Sequence, residues 1–319
     1  MIFILNLILE VGNELWKESI WNLKAKKNRR KSQLISLMNN IVLVDVGASY
    51  FFPESWKLPL ASLNNRVISI DPNENNLNYV KYVKEMKVKI VTKAVGQKKE
   101  KRKFYKTNID SGSSLYAPEL KESHKLKMER DLEFYFFPFE IQNIETISLS
   151  DAIGEIKKNE TIWIKLDTQG SELEILTGAT NILKSNKVVA IELEASLLSE
   201  PIMKGSCRFH QIIDFMDAHN FELTLFKPIY SQSHQSMIRT RIKRGYLNEC
   251  DVLFTPKLSN FSAWDLDRKI SLFAVYVSYG LVELAFRVAS RDAELSDFLT
   301  QKRLENHGDL INQIESLVS

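Results

Sequence analysis

The chain has little glycine, little cysteine and no excess of charge of either sign. Glycine contributes 11 of 319 residues, about 3% where globular proteins average about 7%, so a glycine at a predicted turn is informative. The two cysteines, Cys207 and Cys250, are too few for a disulfide framework or a cysteine-based zinc site, which favours a reducing, cytoplasmic location. A net charge of +3 is too balanced for a protein that coats nucleic acid, so we expect no nucleic-acid partner.

Long hydrophobic runs without charge are also missing. Segment 1–10 has no positive n-region and no small-residue cleavage site, so a short amphipathic helix is expected there instead of a signal peptide. Residues 270–289 are apolar but contain Glu283 and Arg287, which argues against a transmembrane span. We expect a buried helix in this region, or one that packs against a partner subunit in a homo-oligomer formed through the C-terminal helices.

Short apolar runs alternate with helix-length segments through the middle of the chain. Five such runs predict parallel strands with crossover helices, and two later runs joined by a polar loop predict an antiparallel hairpin. The predicted strands are 41–48, 67–72, 88–96, 161–167, 187–195, 221–228 and 250–256. The expected fold class is therefore α/β, with a doubly wound, mostly parallel seven-stranded sheet.

Polar residues stand where the first two predicted strands end. Ligands of open parallel sheets bind outside the carboxyl ends of the strands. The first strand leads through Asp45 to Gly47, which lacks a Cβ and would let the backbone approach a ligand closely. Asp71 ends the second strand 24 residues after Gly47, near the spacing of about 20 residues that is usual for a ribose-binding acid. A carboxylate can accept hydrogen bonds from both ribose hydroxyls.

The phosphate-binding glycines of a dinucleotide site are absent. The G-x-G-x-x-G pattern needs further glycines after Gly47, but residues 48–52 read ASYFF. A pyrophosphate would meet Tyr50 or Phe51, which disfavours NAD and FAD. A ligand with an adenosine and no pyrophosphate fits better, and S-adenosylmethionine is the expected cofactor.

The fourth predicted strand leads into the most distinctive stretch of the chain, residues 163–179. Alternation along this strand brings Asp167 to the carboxyl edge of the sheet beside Asp45. A turn follows, and Ser171 with Glu174 three residues later predicts a capping box for the next helix.

Carboxylates at this edge are candidate proton acceptors. Glu172 has no evident structural role, and Glu192 shares a face of the fifth strand with Glu194, where carboxylates are costly unless they bind something. A base that receives a hydroxyl proton adds about 10²–10⁴-fold to a rate. The candidates are Asp167, Glu172, Glu192 and His210, with Asp167 first. Such carboxylates could also hold a divalent cation, but oxygen ligands leave no spacing signature.

Four ordered segments resemble the FkbM-type family of S-adenosylmethionine-dependent methyltransferases. They are VDVGAS followed by PESW, ISIDPN, SGSSLYAP (111–118) and KLDTQGSELEILTGA. The last is the most specific, because the K-[IL]-D-x-[EQ]-G-x-E-x-x-[IVL]-L pattern recurs across that family. The resemblance covers residues 41–256, which would form a methyltransferase domain of the Rossmann-like class I fold, between helical extensions at 1–40 and 257–319.

The resemblance also implies an activity and a cofactor site. Members of the family usually methylate a hydroxyl of a sugar, glycan or natural product, so a small-molecule or glycan acceptor is expected. Asp71 would hold the ribose of the cofactor, and Ser113 and Ser114 would lie near its adenine or methionine end. The implied cofactor-binding residues are Asp45, Gly47, Ala48, Asp71, Pro72, Asn73, Ser113, Ser114 and Asp167. The chain departs from many relatives at Tyr50 and Phe51, where they carry a second glycine.

One alternative remains open, and another class is disfavoured. A catalytically idle binding or scaffold domain with the same fold would bind the cofactor without turnover, or would not bind it. A DNA-modifying enzyme would be expected to carry a D/N-P-P-Y-like loop or a Pro-Cys nucleophile, and neither occurs in this sequence.

Overall fold

The computed structural model describes residues 33–49, 51–77, 86–127, 132–230, 246–310 and 312. The strands are β1 (Ile41–Val46), β2 (Arg66–Ile70), β3 (Lys87–Val91), β4 (Ala94–Gly96), β5 (Lys101–Thr107), β6 (Pro138–Ser148), β7 (Thr161–Leu166), β8 (Val188–Ser196), β9 (Phe221–Tyr230) and β10 (Leu247–Pro256). The helices are α1 (Gln33–Leu37), α2 (Lys57–Leu60), α3 (Glu122–Lys127), α4 (Leu132–Tyr135), α5 (Leu149–Ile153), α6 (Glu172–Gly178), α7 (Thr180–Leu183), α8 (Phe209–Ala218), α9 (Leu266–Ser278), α10 (Val282–Ala289) and α11 (Ala293–Gln301).

Seven of the strands form one sheet in the order β3-β2-β1-β7-β8-β10-β9. The first five in that order pair in parallel, and β10 pairs antiparallel with both β8 and β9. β1 is buried along its whole length, as its continuous β-branched sequence predicts for a central parallel strand. The predicted seven-stranded, mostly parallel sheet with a terminal antiparallel pair is confirmed.

Helices cover both faces of this sheet, so the sheet is doubly wound. α1, α2 and α9 to α11 pack on the face that carries Trp163. α5 to α8 pack on the opposite face, which carries Ile162, Ile164 and Leu166. Alternate residues of β7 therefore contribute to two separate cores, as the period-two pattern of a strand requires.

A second, smaller sheet was not predicted. The run 88–96, expected to be one strand, divides into β3 and β4, and β4 pairs with β6, which also pairs with β5. Much of β5 and β6 is exposed or half-buried, and their charged residues interrupt the apolar runs. The sequence signal of a buried strand is therefore absent from these two segments.

The C-terminal helices are part of the larger core. The apolar run 270–289 divides at Gly280, whose φ is +73°, into α9 and α10. The side chain of Asp265 caps α9 by accepting a hydrogen bond from the backbone N–H of Arg268. Leu272 and Phe273 of α9 are almost fully buried against the sheet. No helix within the described ranges combines the length and the apolar character needed to cross a membrane.

The three-segment division of the chain stays a prediction, and the packing of α9 bears on its C-terminal boundary. We expect that deletion of residues 260–319 removes cooperative thermal unfolding, because it uncovers the face of the sheet that α9 buries. Circular dichroism and calorimetry of the truncated chain would measure this. A sharp transition near the wild-type midpoint would show that 41–256 folds alone.

A matched pair of point variants tests the same packing without removing chain. Phe273→Ala in α9 is expected to lower the free energy of unfolding by about 3–5 kcal/mol through lost burial and a cavity. Phe137→Ala removes the same side chain from a position that is 57% exposed and is expected to change it by less than about 0.5 kcal/mol. Equal effects of the two substitutions would contradict the role given to α9.

Candidate functional site

The carboxyl ends of β1 and β7 meet with no side chain between them. The N–H of Asp167 donates to the carbonyl of Val46 at 3.0 Å, and Gly47 has a φ of +75°. A Cβ on residue 47 would lie 1.8 Å from the carbonyl oxygen of Asp167. Glycine is therefore required at this position by the neighbouring strand, a reason that differs from the close ligand approach expected from the sequence.

A cleft of about 680 Å³, including space open to solvent, lies beside these strand ends. The predicted cofactor residues that line it are Gly47, Asp71, Pro72, Asn73, Ser113, Ser114 and Asp167. Two others, Asp45 and Ala48, are completely buried and are absent from the lining. Lining residues that the sequence analysis missed include Lys93, Phe104, Lys106, Asp110 and Gln169. We refer to this space as the first cleft.

Asp71 is held at the end of β2 with one carboxylate oxygen engaged. Its Oδ1 accepts hydrogen bonds from the N–H of Asn73 at 2.7 Å and from the side-chain amide of Asn76 at 3.2 Å. Burial raises the pKa of Asp71 to about 7 against the lowering effect of these two bonds, and the charges of Asp45 and Asp110 add to the rise. Its Oδ2 accepts no hydrogen bond from the described residues, so it is available to a ligand in the first cleft.

The segment around Ser113 and Ser114 forms a wall of the first cleft. It pairs with β5 through two backbone hydrogen bonds between Ser114 and Tyr105. The Ser114 hydroxyl donates to the carbonyl oxygen of Gln169 at 2.8 Å. The small sheet is thus joined directly to the turn that follows β7.

Glu172 holds that turn in place. Its carboxylate accepts hydrogen bonds from the N–H and hydroxyl of Thr168 at 2.8 and 2.9 Å and from the N–H of Gly170 at 2.9 Å. Burial raises the pKa of Glu172, although these bonds oppose the rise. The structure therefore gives this predicted catalytic residue a structural task, which the sequence pattern did not show.

The capping box expected from Ser171 and Glu174 is not formed. Ser171 is the N-cap of α6 but makes no side-chain cap hydrogen bond, because its hydroxyl donates to Thr168 at 2.7 Å. Glu174 instead binds Arg102 and the hydroxyl of Tyr116 at 2.8 and 2.7 Å. These partners belong to the small sheet and the segment beside it, so the prediction was wrong because it considered only local partners.

Two other predicted catalytic residues lie elsewhere. Glu192 accepts hydrogen bonds from the hydroxyls of Ser55 and Tyr279, and burial raises its pKa. It does not line the first cleft. His210 is exposed on α8 and lines neither this cleft nor the one described next. The structure brings Asp167 to the first cleft but not these two residues.

Asp167 belongs to a row of charged and polar groups at the strand ends. Lys165 places its Nζ 3.1 Å from Asp167 Oδ2 and 3.9 Å from Asp45 Oδ1. Burial opposes the charge of Lys165, but the two carboxylates outweigh it and raise its pKa above the ordinary value. The side-chain amide of Gln169 donates to Asp167 Oδ1 at 3.3 Å and to Glu194 Oε1 at 3.1 Å. Gln169 thus links Asp167 to a carboxylate on β8.

A second cleft of about 530 Å³ adjoins the first, and Gln169 lines both. Its lining includes Glu194, Glu249 and the apolar side chains of Leu198 and Ile202. Across the ranges that the structure describes, no three His, Cys, Asp or Glu side chains are arranged to hold a metal ion.

The aromatic residues near the site divide between core and surface. Phe52 and Trp56 are buried and stack on each other, and Phe136 lines the second cleft. Phe137 and Phe139 are exposed. Tyr50, where the chain departs from many FkbM relatives, lies outside the described residues.

The raised pKa of Asp71 predicts a pH-dependent gain in stability from Asp71→Asn. The carboxyl of Asp71 has a pKa of about 7 in the folded protein, whereas its pKa in the unfolded chain is the ordinary 3.8. The free energy of unfolding of the wild type therefore falls as pH rises between these two pKa values, by up to about 1.4 kcal/mol per pH unit. Above the higher pKa it stays at the reduced level. Asparagine can accept the same two hydrogen bonds and carries no charge.

Chemical denaturation at pH 5, 6, 7 and 8 measures this difference. The advantage of the Asn variant is expected to grow from pH 5 to pH 7 and then level off. A difference that stays constant across this range would contradict the raised pKa.

Comparison with known proteins finds one protein family whose domain model matches the part of the chain that forms the first cleft. The model of the methyltransferase FkbM domain matches residues 45–223, which is more than half of the chain and contains the end of β1, the whole of β2, β7 and β8, and the first cleft. No curated protein matches the sequence.

Two solved structures are similar to the chain at low identity. One is a proposed RNA methyltransferase from Pyrococcus horikoshii, with 11% identity, a TM-score of 0.28, and coverage of 73% of this chain and 84% of that one. The other is the precorrin-6y C5,15-methyltransferase from Geobacter metallireducens, with 11% identity, a TM-score of 0.30, and coverage of 70% and 85%. These scores are too low to support a functional comparison, whereas the match to the domain model spans the site: the chain belongs to the FkbM methyltransferase family.

Proposed function

We propose that the protein transfers a methyl group from S-adenosylmethionine to a hydroxyl of a sugar, glycan or natural-product acceptor. The observation that carries this proposal is the buried carboxylate of Asp71, which is engaged through Oδ1 only and lines the first cleft. Membership of a methyltransferase family supports the reaction type. The hydroxyl acceptor rests on what is usual for that family.

The residues of the first cleft fit an adenosine-containing ligand. Asp71 can accept hydrogen bonds from vicinal hydroxyls. Because its carboxylate is buried, hydrogen bonds from a ligand would compensate for those to water that it has lost. Phe104 and Leu115 offer apolar surface to a flat ring. Gly47 at the end of β1 also lines this cleft. When bound, S-adenosylmethionine supplies a methyl group that is activated by the positive charge on sulfur.

The protein then has to orient the acceptor and exclude water. Holding two reactants in line can lower a barrier by as much as about 7–11 kcal/mol. The turn after β7 is suited to this, because Glu172 and Ser114 fix its backbone from two sides. A hydroxyl acceptor must also lose its proton, and a carboxylate near the acceptor oxygen can receive it.

We further propose a cytoplasmic location and a small-molecule or glycan acceptor. Cys207 and Cys250 are both free thiols, which supports a reducing compartment. The net charge of +3 favours a small acceptor over a nucleic acid.

Calorimetric titration of the full chain with S-adenosylhomocysteine, S-adenosylmethionine and NAD tests the proposal. We expect binding of both adenosyl ligands and none of NAD, because residues 48–52 lack phosphate-binding glycines. Affinity is expected to fall about tenfold per pH unit below pH 7, as Asp71 becomes protonated and loses one acceptor site.

Two alanine variants serve as test and control in the same titration. Asp71→Ala is expected to weaken S-adenosylhomocysteine binding, whereas Asp297→Ala, which removes an exposed carboxylate of α11, is expected to leave it unchanged. Unaltered affinity in Asp71→Ala would refute the ribose contact. Binding with no transfer to any hydroxyl compound would favour the catalytically idle alternative.

A further inference from the structure

Glu194 occupies a different position from the catalytic residues expected from the sequence. It lies on β8, opposite Asp251 of β10 in the register of the sheet, and it lines the second cleft. Its Oε1 accepts a hydrogen bond from Gln169 at 3.1 Å. Its Oε2 accepts none from the described residues. One oxygen is thus fixed by the turn after β7, and the other is available to a molecule in the second cleft.

Among the described residues, the charged groups with the largest effect on the pKa of Glu194 are negative, and one of them, Asp251, is paired with Lys227 of β9 at 3.3 Å. These groups are Asp167 of β7, Glu249 and Asp251 of β10, and Glu172 of α6. Burial and these carboxylates raise the pKa of Glu194 well above its ordinary value. Asp167 differs, because the ammonium of Lys165 lies 3.1 Å from its Oδ2. A carboxylate that binds a proton readily is the better base, and a carboxylate paired with a lysine is the better fixed anion.

We propose that the second cleft binds the acceptor and that Glu194 is the catalytic base that receives the hydroxyl proton, while Asp167 acts as a positioning residue through Gln169. The proposal rests on the methyl transfer proposed above. It places the two reactants in adjoining clefts with Gln169 at their common wall.

The step is balanced without any further reactant. The acceptor oxygen forms a bond to the methyl carbon as the bond between that carbon and sulfur breaks. Sulfur keeps the electron pair of the broken bond and becomes a neutral thioether. The hydroxyl proton passes to Glu194 Oε2 and is released to water after the product leaves.

The lining of the second cleft also restricts the acceptor class. It contains the carboxylates Glu172, Glu194 and Glu249, and none of its described lining residues is Lys, Arg or His. Leu198, Ile202 and Met203 supply apolar surface. A phosphorylated or carboxylated acceptor would meet these carboxylates, and none of the described lining residues is a cation that could compensate for the repulsion. The acceptor is therefore a hydroxyl compound that is neutral or carries an amine.

Transfer of tritiated methyl from S-adenosylmethionine to three matched sugars tests the proposal. The probes are glucose, glucosamine and glucuronate, assayed between pH 6 and pH 9. We expect label in glucose or glucosamine and none in glucuronate. Glu194→Gln is expected to lower kcat by about 10²–10⁴-fold and to remove the acid limb of the kcat profile measured at saturating S-adenosylmethionine, with S-adenosylhomocysteine affinity unchanged.

Asp167→Asn separates the two carboxylates. Because the charge of Asp167 contributes to the raised pKa of Glu194, the Asn variant should lower kcat less than Glu194→Gln does and should move the acid limb to lower pH. If Asp167→Asn lost the acid limb of the pH profile while Glu194→Gln stayed active, the assignment of Glu194 as the base would be overturned. Preference for glucuronate, or no label in any sugar while S-adenosylhomocysteine still binds, would overturn the acceptor class. Failure of the wild type to bind either adenosyl ligand would refute the proposed function instead.

A thiol reagent gives a readout that does not depend on turnover. Cys207 lines the second cleft and is half-buried, whereas Cys250 is fully buried. Burial raises the pKa of the Cys207 thiol to about 11, so an uncharged methanethiosulfonate at pH 9 is suitable, with Cys207→Ser to identify the site. Glucosamine or glucose is expected to protect Cys207 from modification, and glucuronate is not. Equal protection by all three sugars, or by none, would contradict the acceptor site.

Discussion

The close approach of two backbones at the centre of the sheet is the constraint on which the site depends. Gly47 and the carbonyl of Asp167 are so near that a Cβ on residue 47 cannot be accommodated. Because no side chain lies between the carboxyl ends of β1 and β7, the loops that follow these two strands begin directly beside each other. Asp71, Asp167 and Gln169 then line a common cleft although they come from different strands and turns.

Around that point the charges are arranged unevenly. Lys165 lies beside Asp45 and Asp167, whereas Glu194 faces carboxylates. Gln169, a neutral amide, donates one hydrogen bond to each side. A neutral link can hold two carboxylates in place without adding a charge that would stabilise the ionised form of both. This difference in surroundings supports the separate tasks proposed for Asp167 and Glu194.

The sequence predicted the strands well and the polar network poorly, for a physical reason. Burial imposes runs of apolar residues on β1, β2 and β7, so these strands and the acids that end them can be recognised locally. Hydrogen-bond partners are not local: Tyr279 reaches Glu192 across 87 residues, and Arg102 reaches Glu174 across 72. Glu172 and Glu192 were thus expected to be available for catalysis although both are engaged. The small sheet was not predicted because β5 and β6 are half-exposed and have no continuous apolar face.

The order of the strands has a consequence for where the folding unit ends. The match to the FkbM domain stops at residue 223, three residues into β9. In space, however, β10 lies between β8 and β9, so β9 has no strand to pair with until the chain has continued to residue 247 and returned. During synthesis, β8 remains an open sheet edge until β10 emerges, and the cleft beside Glu194 is completed only when Glu249 arrives with it. The unit recognised by sequence and the unit that can close its own sheet therefore have different C-terminal limits.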